Sequence, residues 1–228
     1  MKLLMIGHLL GDFYFQSDNL AREKKKSLWN TVKHCLYYTI TMSVILYIGT
    51  GKLSVSLFYG LLIGVSHLLV DGVKYIINKK FNSKEEFKIF VIDQLIHIAI
   101  IFVFSRLYTI EYNFIWFSGI PEYILNNIQK VLSIICAFLL CGKPAALTIS
   151  LVFGLIPKTI EKADSSNVIL MDSLKQENVK IGSWIGILER EIILILGLLG
   201  QFGAIGFVLA AKSIVRHSQL NEPAFAEK

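Results

Sequence analysis

Three short stretches of this chain place an imidazole and a carboxylate four residues apart: His8-Leu-Leu-Gly-Asp12, His67-Leu-Leu-Val-Asp71 and, in reverse, Asp93-Gln94-Leu-Ile-His97. Gln16 extends the first by one more turn, Lys74 follows the second by three residues, Gln94 lies inside the third, and His34 stands between the first two. Residues four apart share one face of a helix, so each pair draws a polar stripe along an otherwise apolar rod. Imidazole nitrogen and carboxylate oxygen are ligands of Zn, Mn and Fe, and carboxylate oxygen of Mg. His8, Asp12, His67, Asp71, Asp93 and His97 are therefore candidate ligands for one or two divalent metal ions, with Zn, Mn or Mg expected. His34 is a further ligand or a general base, and Lys74 a cation that offsets developing negative charge. Gln16 and Gln94 orient a ligand or a water, or hydrogen-bond between helices.

The elements that carry these residues are apolar. Of 228 residues 54% are hydrophobic and 18% are charged, against about 25% charged in soluble domains. Apolar runs cover Met1–Phe15, 32–48, 53–77 and 87–107, and the last three approach or exceed the ~20 residues that cross a bilayer. Two weaker runs follow at 124–140 and 145–156, then a polar connection from Lys158 to Lys180, then a closing hairpin of 184–199 and 203–215 around Gly200. The fold expected is an all-α polytopic transmembrane bundle of six to eight membrane segments. Its divisions are a four-helix core with the site (1–108), an aromatic connection with further membrane helices (109–157), a polar connecting segment (158–182), and a C-terminal membrane hairpin with a short polar tail (183–228).

Ionisable residues are rare in membrane helices and mark functional positions unless they serve as polar glue between helices. Counted from the ends shared with the basic loops, His8, His67 and His97 fall roughly 14–18 Å deep and Asp12, Asp71 and Asp93 about 8–12 Å deep at ~1.5 Å per residue. Arg22 and Lys24–Lys26 lie in one loop (22–33), and Lys79, Lys80, Lys84 and Lys88 in another (78–88), whereas the turn between them carries only Lys52. The positive-inside rule puts both basic loops in the cytoplasm and the N-terminus outside. The net charge of +6 clusters at segment ends, which argues for membrane orientation rather than nucleic-acid binding.

Cys35, Cys136 and Cys141 show no metal-ligand spacing and read as buried thiols. Glu189 and Arg190 interrupt a late apolar helix and, with Lys212 and Arg216, form either an anion pocket or a charge network that fixes the hairpin. No P-loop, dinucleotide-binding glycine motif, GxSxG elbow or HExxH sequence is present, which disfavours nucleotide-driven phosphoryl transfer and serine hydrolysis.

The stretch Gly7-His8-Leu9-Leu10-Gly11-Asp12-Phe13 with Gln16, then His34, His67-Leu-Leu-Val-Asp71 with Lys74, and Asp93-Gln94-Leu-Ile-His97 resembles the DUF3307 family of bacterial multi-pass membrane proteins. The resemblance covers about residues 5–100. Gly186-Ile-Leu-Glu189-Arg190, Gly206-Phe207 and Ala210-Ala211-Lys212-Ser213-Ile-Val-Arg216 are similar to the C-terminal half of longer members. It implies a bacterial cytoplasmic (inner) membrane protein and brings no reaction with it. A distant similarity of the polar core to membrane-bound metal-dependent hydrolases favours hydrolysis of an ester or phosphoester in a lipid-like substrate at the cytoplasmic side. A proton- or metal-ion-coupled transporter or channel, and a non-catalytic membrane scaffold, are the alternatives. Membrane lipid is the expected partner under all three readings.

Overall fold

The computed structural model of the protein describes residues 1–24, 27–80, 86–107, 121–155 and 168–220, and its regular structure among them is helical throughout. The aromatic segment 109–120, residues 158–167 of the polar connection, the middle of the second basic loop and the tail from 221 lie outside the described residues. The chain divides into two compact units, 1–165 and 166–228.

In the first unit, α1 (Lys2–Leu9) runs into a π-helical turn over Leu10–Tyr14, closed by the Phe15 N–H donating to the Leu10 carbonyl at 2.8 Å. Ser17 leaves the helical region at φ −72°, ψ 150°, and its side chain accepts from the Leu20 N–H, capping α2 (Asp18–Glu23). Gln16 braces this break, its amide oriented to donate to the Asp12 carbonyl (2.9 Å) and accept from the Ala21 N–H (3.2 Å). Then come α3 (Leu28–Thr50), α4 (Leu53–Lys80), α5 (Glu86–Leu107), the short α6 (Glu122–Asn126), α7 (Ile128–Cys141) and α8 (Lys143–Phe153). Helix α1 packs on α3, α5 and α7, and α3 packs along α4. The apolar centre is built from Leu3, Leu4, Ile6, Tyr38, Met42, Leu46, Ile63, Ile101 and Leu132.

The polarity of this unit runs inside out. His8, Gln16, His34, His67, Asp71, Asp93 and His97 are buried, while Leu57, Phe58, Leu61, Leu69, Val73, Ile92, Leu95 and Val103 are exposed. Lipid, not water, suits such an exterior. Three helices are long and apolar enough to cross a membrane: Leu53–Ile77, Glu86–Leu107 and Ile128–Phe153. The protein is thus a helical multi-pass membrane protein.

The expected six to eight membrane segments are corrected to these three among the described residues. In the C-terminal hairpin, Glu189, Arg190 and Glu191 interrupt the first apolar stretch, and the second, Phe202–Ile214, is too short to span; in the first unit three further causes act. At 1.5 Å per residue the eight residues of α1 reach about 12 Å, well short of a ~30 Å hydrocarbon core, and protein covers them on most sides. Helix α3 is long enough, but Asn30, Thr31, Lys33, His34, Thr39, Thr41 and Ser43 make it too polar. The runs 124–140 and 145–156 belong to one span, α7 and α8, bent at Gly142 with Pro144 beyond it. At that bend the Tyr14 hydroxyl donates to the Leu139 carbonyl (2.9 Å) and accepts from the Lys143 N–H (3.2 Å).

The second unit is a hairpin of α9 (Val168–Leu198) and α10 (Phe202–Leu220), turning at Gly200, whose φ of +70° suits glycine. Residues 168–180 of the expected polar connection are therefore helical. Within the hairpin Lys212 ion-pairs with Glu189.

Candidate metal centre

Two close helix contacts fix the position of the site. Gly60 and Gly64 lay α4 against Ser43 and Thr39 of α3: a Cβ on Gly60 would lie 3.0 Å from the Ser43 Cα, and one on Gly64 2.9 Å from the Thr39 Cβ. His34 and His67 sit about one turn farther along this seam and face each other. Gly11 lets α1 approach α3 in the same way, since a Cβ there would lie 2.9 Å from the Tyr38 ring. The π-helical turn that follows Leu9 carries Asp12 to the end of the seam. Such turns recur at functional sites because they re-aim side chains.

Three donor atoms, from Asp12, His34 and His67, meet there, and one from Asp71 lies beside them. His34 Nε2 lies 3.1 Å from Asp12 Oδ1, 3.2 Å from His67 Nε2 and 3.7 Å from Asp71 Oδ2. His67 Nε2 lies 3.9 Å from Asp12 Oδ1 and 3.7 Å from Asp71 Oδ2. A tetrahedral ion with bonds of 2.0–2.2 Å requires donor separations of roughly 3.3–3.6 Å, so Asp12 Oδ1, His34 Nε2 and His67 Nε2, at 3.1–3.9 Å from one another, form a first group that suits one ion. A second group, Asp71, Asp93 and His97, has its ligand atoms within 4.8 Å of one another, and so does a third, Cys35, His67 and Asp71. Asp71 belongs to both. The chain therefore holds buried His, Asp and Cys clusters able to coordinate a divalent metal ion.

Unpartnered atoms provide a separate test of fit. His97 Nδ1 donates to the Asp93 carbonyl at 2.8 Å, which fixes the tautomer and leaves the lone pair on Nε2. That Nε2 and Asp93 Oδ1, both in the second group, are buried with no hydrogen-bond partner; the Nδ1 atoms of His34 and His67 are too, but they lie on the ring edge away from the Nε2 donors, and an ion there would not serve them. Each such atom raises the energy of the fold by roughly 1–3 kcal/mol unless an ion or water satisfies it.

Around the donors lies a polar frame. Gln94 Nε2 donates to Asp12 Oδ2 (3.1 Å) and Asp93 Oδ2 (3.2 Å), and its Oε1 sits 3.3 Å from His8 Nε2. His8 Nδ1 lies 3.3 Å from the Tyr38 hydroxyl. Both ring nitrogens of His8 are thereby taken up, and none of the donor groups includes it. His34, by contrast, sits at the heart of the first group with 0% exposure. Lys74 Nζ binds Asp93 Oδ2 at 2.5 Å, and Lys24 Nζ stands 3.4 Å from Asp71 Oδ2 and 3.7 Å from Asp12 Oδ1. Burial alone would lower the pKa of Lys24, but the carboxylates of Asp12, Asp71 and Asp93 more than offset it and hold the ammonium above its ordinary value.

The sequence reading missed Lys24, Cys35 and Tyr38. Lys24 read only as a basic loop residue and Cys35 as a structural thiol. Tyr38 follows His34 by four residues, the same spacing that marked His8 and Asp12, and its ring stacks on His67 at 3.7 Å and 7°. Glu189 and Lys212 pair in the second unit, and the side chain of Arg216 lies outside the described residues. Tyr38→Phe keeps the stacking and removes the hydroxyl. It should lower stability by about 1–3 kcal/mol through His8 Nδ1 while metal content stays at the wild-type value, as thermal unfolding and elemental analysis of one preparation would establish.

The DUF3307 family, a protein family of unknown function, matches residues 1–121, more than half of the chain. The chain belongs to the DUF3307 family. Every donor and every framing residue described above falls inside the matched region. No curated protein and no solved structure shows a significant match.

Proposed function

We propose that the protein is a membrane-embedded metal-dependent hydrolase that cleaves an ester or phosphoester of a lipid-like substrate at the cytoplasmic side of a bacterial inner membrane. The observation that carries this reading is the buried trio of Asp12 Oδ1, His34 Nε2 and His67 Nε2, 3.1–3.9 Å apart, with Asp71 Oδ2 3.7 Å from both nitrogens. Asp93 and His97 extend it through Asp71 toward a second ion. When bound, a divalent ion supplies a Lewis acid and an acidified water.

The chain's own residues do the rest. Gln94 holds Asp12 and Asp93 in register, His8 and Tyr38 brace Gln94 and the His67 ring, and Lys24 and Lys74 supply positive charge beside the carboxylates. Water adds across the scissile bond, its hydroxyl going to the acyl or phosphoryl centre and its proton to the leaving oxygen. An apolar groove of about 340 Å³ lined by Ser66, Ile96, Ala99, Ile100, Val103 and Phe104 runs along the flank of α4 and α5. Its residues lie within about a turn of His67 or His97 at the near end, so an alkyl chain there would bring its head toward the donors. The basic loops at 22–33 and 78–88 favour a cytoplasmic mouth by the positive-inside rule.

The test is turnover of a panel of lipid esters and phosphoesters by protein in nanodiscs, with and without added Zn, Mn or Mg. Hydrolysis that needs metal and disappears in His67→Ala and Asp71→Asn is the expected result. Metal binding without turnover of any member, together with metal-dependent ion flux in proteoliposomes, would replace the hydrolase with a transporter.

A further inference from the structure

The two lysines of the site differ from its other charged members in exposure. The side chains of Lys24 and Lys74 are 16% and 21% exposed, against 3% for both Asp71 and Asp93. Each lysine thus reaches nearly buried carboxylates from a partly exposed side chain. Each lysine rests on carboxylates that also belong to the donor groups: Lys24 on Asp12 Oδ1 and Asp71 Oδ2, Lys74 on Asp93 Oδ2. An ion in the first group needs the Asp12 carboxylate, and an ion in either of the other two needs that of Asp71, the two carboxylates that Lys24 faces.

Charge balance sets the consequence. Three carboxylates face two ammoniums, so without metal the cluster carries about one net negative charge, and a low-dielectric interior tolerates little more. One divalent ion turns this to about one net positive charge and two turn it to about three, with the imidazoles neutral as ligands. Lys24 shares its carboxylate partners with the ion in that exchange and keeps its charge beside it. A carboxylic ester is neutral and leaves this excess in place. A phosphoryl group carries one or two negative charges and several acceptor oxygens, which matches two ammoniums beside one ion.

From this juxtaposition we infer that the metal-loaded site is a phosphoryl-binding pocket, with Lys24 and Lys74 as its anion-binding residues, so that the substrate is a phosphoester rather than a carboxylic ester. The inference rests on the metal-centre reading and narrows its substrate class.

The test uses the full chain, stripped of metal or reloaded with Zn, and isothermal titration with inorganic phosphate in detergent or with phosphatidic acid in phosphatidylcholine nanodiscs. Elemental analysis accompanies every sample. Phosphoryl binding should need the metal. Lys24→Ala and Lys74→Ala should each weaken it about 10- to 100-fold, the loss expected for one charge-assisted hydrogen bond, with metal content unchanged, and Lys24→Arg should restore most of the affinity. Tighter binding of phosphatidic acid than of inorganic phosphate assigns the group to a lipid headgroup, and the reverse order assigns it to a soluble phosphoester. Equal phosphate affinity with and without metal, or full affinity in both alanine variants at intact metal content, overturns the pocket while leaving the metal centre standing. A folded protein that takes up no ion overturns both.

Discussion

Asp71→Asn should leave the purified protein folded and nearly free of metal, with content falling from about one or more ions per chain to below about a tenth, a loss in keeping with removal of an anionic ligand. Asn has the shape of Asp but no charge, so packing along α4 persists and only the ligand is lost. Asp71 is the strongest point of attack because it belongs to two donor groups, one with Cys35 and His67, the other with Asp93 and His97. Its Oδ2 also stands 3.7 Å from both His34 Nε2 and His67 Nε2. The same change deprives Lys24 of an acceptor at 3.4 Å, at an expected loss of about 1–2 kcal/mol, given that this ammonium is partly exposed. Glu23→Gln, an exposed change at the last residue of α2, serves as control and should retain both metal and stability. Elemental analysis beside circular dichroism decides the matter: wild-type metal content in the Asn variant would remove Asp71 from the site.

What could be read from the sequence was what local spacing encodes. His67 and Asp71 on α4, and Asp93 and His97 on α5, lie on regular helices, so their four-residue spacing translates directly into one face. The bounds of α4 and α5 follow the apolar runs almost to the residue. His8 and Asp12 share that spacing, but the π-helical turn between Leu10 and Tyr14 breaks the periodicity that the spacing assumes, and separates a framing residue from a donor. His34 has no carboxylate four residues to either side, and its place beside His67, with 3.2 Å between the Nε2 atoms, comes from the packing of α3 on α4. Lys24 and Tyr38 acquire their roles from Asp71, 47 residues away, and His8, 30 residues away, contacts that no local pattern carries. The number of membrane spans failed for a related reason. Hydrophobicity marks burial equally well in lipid and in protein, so α1 read as a span although other helices cover it, and Gly142 with Pro144 read as a turn although the helix only bends there.

Gly64→Leu should both destabilise the protein, by about 3 kcal/mol or more, and abolish metal binding at a distance from every ligand atom. The Cβ it adds falls 2.9 Å from the Thr39 Cβ and 3.0 Å from its Cγ2, and Thr39 has little freedom to turn aside because its hydroxyl donates to the Cys35 carbonyl at 2.7 Å. Relief requires α3 and α4 to part. Their separation is what sets the 3.2 Å between His34 Nε2 and His67 Nε2, and displacement of about 1 Å at that level places the two nitrogens too far apart to share one ion with bonds near 2.1 Å. Gly72 lies on the same helix with nothing within 4 Å of the position a Cβ would take. Gly72→Ala should therefore be neutral or stabilise by about 0.5–1 kcal/mol, as expected for a helical glycine with free space. Thr39→Ala, which removes two of the three atoms in the way, should recover part of the stability and metal of a Gly64→Ala variant. Thermal unfolding and metal content measured across this set separate the two causes: if Gly64→Leu lost stability and kept its metal, the seam between α3 and α4 would support the fold without setting the geometry of the site.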